Sequence, residues 1–179
     1  MPAASRLTVL MLAALLAGCA GGQRATQGRY IGGPVHLACV PYARALSGLP
    51  LRGDASTWWR QAAGHYPRLD HPRPGSVLVF RPTARLPRGH VAVVTQVLGR
   101  RRILIDDANW VPHRVTADQP VIDVSPDNSW RLVRVYWPPA REMGVHVYPV
   151  LGFILPRDPA APAVLQARAG VARRIALGD

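Results

Sequence analysis

The sequence predicts an α+β fold, with helices near the N-terminal end packed on an antiparallel β-sheet. Three observations carry this. Helix-permissive segments with start and stop signals come first, near residues 39–46 and 54–63. Runs rich in β-branched residues follow, between residue 76 and about 155. Two of those runs are joined by a turn too short for a crossover helix, so they pair antiparallel rather than winding as βαβ units. The chain has 179 residues, which suits one domain with tails. With 49% hydrophobic and only 18% charged residues it can bury a core, and disorder through charge is not expected.

The elements follow in order. Cys39–Leu46 is a helix: Pro41 takes a first-turn position, where proline is tolerated, and Gly48 stops it. Asp54 is a suitable N-cap for a second helix through about Ala63, closed by Gly64. His71–Gly75 (HPRPG) is a turn, and Ser76–Phe80 is a short β-like run. His90–Leu98 (HVAVVTQVL) and Arg102–Asp106 (RILID) are strands separated by Gly99–Arg101, a hairpin signal. Trp130–Trp137 (WRLVRVYW) alternates as an amphipathic strand, and Val147–Leu155 supplies another. From residue 157 to 179 the chain is mainly Ala, Arg and Pro and reads as a frayed or weakly helical tail. Residues 19–35 are Gly-rich and polar and read as a flexible tether, leaving 36–156 as the folded domain.

Residues 1–18 carry an address. Arg6 precedes an apolar run, Leu7–Ala17 (LTVLMLAALLA), followed by small residues, as in a secretory signal. The run is too short to span a bilayer stably. Leu16-Ala17-Gly18-Cys19 resembles the lipobox of bacterial lipoproteins. That resemblance implies cleavage before Cys19 and acylation of its thiol. The protein would then be held by lipid in the cell envelope on the periplasmic side. Ala20, rather than Asp, after Cys19 favours the outer membrane over the inner. If Cys19 carries lipid, Cys39 is the one free thiol of the exported protein, either reactive or a buried structural cysteine.

The formal net charge is +12, and all 22 basic residues are Arg. Such a balance suits nucleic acid, an anionic membrane or another polyanion. Base composition also suffices, since GC-rich coding gives Arg, Ala and Pro. Nucleic acid is not expected as a partner, because the address directs the chain outward and the arginines are scattered. His36, His65, His71, His113 and His146 lack ligand spacing, so neither a metal nor another cofactor is expected.

A nucleophilic cysteine needs a stabilised thiolate, a base within reach, and a polar group that fixes the base's tautomer. Cys39 begins the first helix, where the dipole and free N–H groups favour an anion. His90 begins the strand GHVAVV, and Asp107 and Asn109 end the next, in IDDANW. If the two strands pair through the 99–101 turn, residues whose numbers sum to about 200 face each other. His90 then lies opposite Asn109 within one register step, and Asp107 shares the face of Asn109. The hairpin alone therefore gathers His90 with the Asp107/Asn109 pair.

CVPYAR, PGSVLVF, GHVAVV and DDANW, in this order, resemble the CHAP domain, the Cys/His-dependent amidohydrolase and peptidase family with a papain-like (NlpC-like) fold. The likeness covers roughly Leu37–Pro156. It implies a peptidoglycan hydrolase that cuts an amide bond of the wall, as an amidase or an endopeptidase. By the same likeness Cys39 is the nucleophile and His90 the base. Asn109 matches the family's Asn and is favoured as the direct partner of His90, with Asp107 as a second contact or the reverse. Many members have Gln before the cysteine, whereas this chain has Ala38. The oxyanion hole then rests on the Cys39 backbone N–H and an unidentified donor. Trp59 and Trp110 are candidate substrate-stacking residues, set against ordinary core roles. The protein is expected to act as a monomer on peptidoglycan. The alternative is a catalytically inactive lipoprotein of the same fold that only binds the wall.

Overall fold

The computed structural model describes residues 27–157 and 161–177. The signal, Cys19 and the first part of the tether lie outside the described residues. Among those described, three helices and nine strands form an α+β domain. They are β1 (Arg29–Ile31), α1 (Cys39–Ser47), α2 (Ala55–Gln61), β2 (Arg68–Leu69), β3 (Val77–Phe80) and β4 (His90–Gly99). There follow β5 (Arg102–Ala108), β6 (Val115–Asp123), β7 (Leu132–Trp137), β8 (Glu142–Met143), β9 (Tyr148–Ile154) and α3 (Ala161–Leu177).

The strands run in the order β1-β6-β5-β4-β3-β9-β7-β8, all antiparallel, and β6 also pairs with β7. That extra pairing closes six of them into a barrel, which removes the free edges an open sheet would leave. Alternation along the strands sorts side chains to two cores. Leu78, Phe80, Ala92, Val94, Ile103 and Ile105 face the barrel interior. Val77, Val79, Val91 and Val93 face the other way, onto Tyr42, Leu46 and Trp58 of α1 and α2. Strands that bury both faces read as continuous apolar runs, which is why VLVF and HVAVV show little polar alternation. Each fully buried side chain contributes about 1.5–3 kcal/mol.

Three segments differ from the expectation. Residues 29–31, placed in the flexible tether, form β1 on the outer edge of β6. The stretch expected as a frayed or weakly helical tail forms the 17-residue helix α3, docked on the domain. It is held there through buried Val171, through Ile175 against Gly32, and through a buried ion pair. Arg168 grips Asp106 of β5 with two bonds of 2.6 Å and Asp118 of β6 at 2.8 and 3.3 Å. Asp106 is fully buried, so the pair gives its carboxylate the partner that burial demands. Finally, no strand was expected at β6. Its sequence, VTADQPVID, breaks alternation at Asp118-Gln119-Pro120, and Asp118 has φ +54°. β1 covers residues 115–117 and β7 covers 121–123, so residues 118–120 have a strand neighbour only on the β5 side. A proline's missing N–H is tolerated there.

Candidate active site

Cys39 is the first residue of α1. Its predecessor Ala38 is extended and makes no side-chain cap bond, so the first-turn N–H groups remain free to face an anion. α1 lies against β4 and β5, which brings the sulfur to the start of β4, where His90 sits. His90 is directly across from Phe80 of β3 and shares the barrel face of Phe80 and Ala92. It thus stands at the mouth of the barrel, nearly excluded from solvent.

The imidazole is anchored through one nitrogen. Its Nε2 lies 3.0 Å from Oδ2 of fully buried Asp107. Nδ1 is left as the ring nitrogen not engaged by Asp107, and the Cys39 thiol stands close enough to His90 for each to shift the other's titration. Electrostatics follow from this order. Burial alone pushes the Cys39 thiol up, but its hydrogen bond to His90, the His90 charge and a backbone hydrogen bond from Val91 outweigh it, and the thiol lies below its ordinary range. Burial alone would push His90 down, yet its bonds to Asp107 and Cys39 raise it well above the usual imidazole range. Burial raises Asp107, and His90 draws it back. The favoured state is a thiolate beside an imidazolium, at the pH where a free cysteine is still a thiol.

The hairpin register brings β4 and β5 together as expected: Val93 faces Asp106 and Val94 faces Ile105. The contact itself differs. Among the described residues the side-chain partner of His90 is Asp107, and no hydrogen bond joins His90 to Asn109. Asn109 follows the last residue of β5 with φ +65°, is exposed, and its Oδ1 accepts the N–H of His113 at 2.9 Å, closing the turn toward β6. The left-handed residue ends the pleat, so the shared face of positions 107 and 109 stops at Asp107. Asn109→Ala is therefore expected to cost about 1 kcal/mol of stability. The pH profile of Cys39 alkylation should stay unchanged; a displaced profile would give Asn109 a part in the site.

Gly89 sets the approach to His90. It has φ +69°, and a Cβ there would stand 2.9 Å from the Phe80 carbonyl oxygen and 3.0 Å from the Ser56 nitrogen. Gly89→Ala is expected to lose about 1–3 kcal/mol, read from the denaturant midpoint. An unchanged midpoint would show that the turn before β4 can relax.

The two tryptophans part company. Trp110 packs edge-on against His90, with ring centroids 5.1 Å apart, and against Tyr148 at 4.9 Å. It forms one wall of a groove of about 280 Å³ whose other walls include Trp137, Tyr148, Val145 and Arg85. Trp59 of α2 lies under the Arg68 guanidinium at 5.0 Å and lines a separate depression with Leu69 and Leu151. Sequence reasoning missed Phe80 and Tyr148, which wedge His90 and Trp110 in place. The signal for Phe80 was present, since β3 and β4 are adjacent in sequence and pair antiparallel. Tyr148 arrives from β9, far along the chain, and nothing local announces it. Among the described residues no group of three potential metal ligands occurs, and no helix is long and apolar enough to cross a membrane.

No curated protein and no solved structure matches the chain. The CHAP domain family model matches residues 28–109. The span begins one residue before β1 and ends one residue past β5, so it takes in Cys39, His90 and Asp107 and leaves out β6–β9 and α3. Over that span, residues 28–109, the chain is similar to the CHAP domain family, which is of a hydrolytic amidase and peptidase type.

Proposed function

We propose that the protein hydrolyses an amide bond of peptidoglycan, with Cys39 as nucleophile, His90 as acid and base, and Asp107 as the group that orients and charges His90. The observation that carries this reading is the Cys39–His90–Asp107 relay at the barrel mouth, with the thiol lowered and the imidazole raised. A nucleophile at a helix N-terminus facing a histidine at the start of a strand also supports a papain-like (NlpC-like) reading of the fold.

The roles follow from the order of the groups. The Cys39 thiolate attacks the amide carbonyl carbon, forming the C–S bond and placing charge on the oxygen. The Cys39 backbone N–H at the start of α1 is positioned to receive that charge. As the C–N bond breaks, the His90 imidazolium gives its proton to the departing amine. Neutral His90 then takes a proton from water, whose oxygen attacks the thioester. The C–S bond breaks, the acid departs, and the thiolate–imidazolium pair returns. Asp107 keeps its charge throughout and fixes Nε2, which leaves Nδ1 for the sulfur. The aromatic groove at Trp110 is beside the reacting atoms and suits part of the wall substrate.

The lipid anchor on Cys19, an outer-membrane location and action as a monomer complete the proposal. The Arg-rich surface would then add weak affinity for anionic lipid and wall polymer. One feature favours a second reading. Ala38 offers no side-chain donor beside Cys39, as a wall-binding protein without activity would tolerate.

Mass spectrometry of muropeptides after incubation with purified sacculi tests both. A new free amino group on a peptide residue marks an endopeptidase, and a peptide freed from the glycan marks an amidase. Retention on sacculi without any new amine would leave only the binding reading.

A further inference from the structure

α3 lies outside the span matched by the CHAP family model, yet it touches both elements that carry the ends of the relay. Val171 and Ala167 pack in the core beside α1, which bears Cys39. Arg168 reaches β5, which bears Asp107. The place it reaches is irregular. Between the pairs Ile105–Gln119 and Asp107–Thr116, β5 advances two residues while β6 advances three. β6 therefore bulges at Asp118, in left-handed backbone. The Asp118 N–H finds its acceptor in Oδ1 of Asp106, at 2.9 Å. Asp106 in turn is held by the two 2.6 Å bonds from Arg168. Arg29 of β1 adds a bond to Asp118 at 3.2 Å, and Tyr42 of α1 is buried within range of the Asp106 charge.

Successive strand residues point to opposite faces. Asp106 thus faces the helices while Asp107 faces the barrel mouth, and a slip of one residue would exchange them. We propose that Arg168 is a positioning residue: by gripping Asp106 it holds the bulged β5–β6 ladder in the phase that aims Asp107 at His90. The grip is a two-pronged one that the planar guanidinium makes and an ammonium does not. This rests on the reading of Cys39, His90 and Asp107 as a reactive relay.

The test uses the full-length protein and the rate of Cys39 alkylation by iodoacetamide against pH. Alkylation is read on the Cys39 peptide by mass spectrometry, so that Cys19 does not contribute. Arg168→Gln is expected to move half-maximal alkylation up by about one pH unit, in the direction of Asp107→Asn. In the Asp107→Asn background, Arg168→Gln should add nothing further, because both changes act through the same carboxylate. Where Arg168→Gln fails to keep its near-ultraviolet circular dichroism, Arg168→Lys replaces it. Lysine keeps the charge that Asp106 needs and loses the fork, and the same upward displacement is expected. A folded Arg168 variant with the wild-type profile overturns the inference, as does a full additional displacement in the Asp107→Asn background. A flat Asp107→Asn profile overturns the relay reading itself, and the inference with it.

Discussion

Cys39→Ala is expected to lower the rate of sacculus clearance by about a thousandfold or more. Among the described residues Cys39 is the one free thiol, and His90 is committed to Asp107. The fold should persist, because the change removes one sulfur atom from a half-buried position at a helix start, at a cost of about 1 kcal/mol. Far-ultraviolet circular dichroism and the thermal midpoint check that the loss is chemical. Clearance at the wild-type rate by a folded Cys39→Ala protein would remove the hydrolase proposal. Retention of sacculus binding by the same protein would fit substrate recognition through the groove at Trp110, which this change leaves intact.

Asp107→Asn should cost about 10²–10⁴-fold in rate. The amide has nearly the shape of the carboxylate and still accepts a bond from His90, so geometry alone changes little. The charge changes a great deal. Burial is the largest influence on His90 and acts downward; the bond to Asp107 is the first influence that opposes it. Without the carboxylate the imidazolium loses its support and His90 falls toward neutrality at ordinary pH. Two effects then reach Cys39. The Asp107 charge itself raises the thiol, so its removal lowers it slightly. The bond and charge of His90 lower the thiol more strongly, so their loss raises it. The second wins on order of size. The onset of Cys39 alkylation should therefore move to higher pH in Asp107→Asn. In the wild type it should lie below that of a free cysteine. An onset that stays put, or moves down, would mean that Asp107 does not tune the pair.

Much of the fold was legible because its signals are local. α1 begins at Cys39 and ends at Gly48 as its sequence indicates, with Gly48 in left-handed backbone at φ +72°. The second helix is shorter than expected, ending at Gln61 rather than about Ala63, and Asp54 precedes it without capping through its side chain. β4 and β5 form the expected hairpin through the 99–101 turn. β1, β2, β6 and β8 were not legible. Three of them have two or three residues, and only a longer partner strand gives so short a segment extended structure. β6 carries its polar residues at a bulge, where Asp118 pairs with Arg168 and the Gln119 Nε2 donates to the Tyr136 carbonyl. Those partners lie 50 and 17 residues away, beyond any window of periodicity.

The candidate site divides along the same line. The sequence by itself placed a cysteine at a helix N-terminus, a histidine at the start of a strand, and two polar residues at the end of the paired strand. Helix signals and hairpin register are properties of neighbouring residues, so they survive without knowledge of the rest. Which polar residue meets His90 was decided by tertiary structure. Asn109 takes left-handed backbone and bonds to His113, while Asp107 keeps the strand face that meets His90. Barrel closure through β6 and β7, the groove between Trp110 and the β7–β9 region, and the docking of α3 through Arg168 were likewise decided there. Each depends on burial supplied by residues distant in sequence, and a buried charge or a bulged strand is stable only once that distant partner is in place.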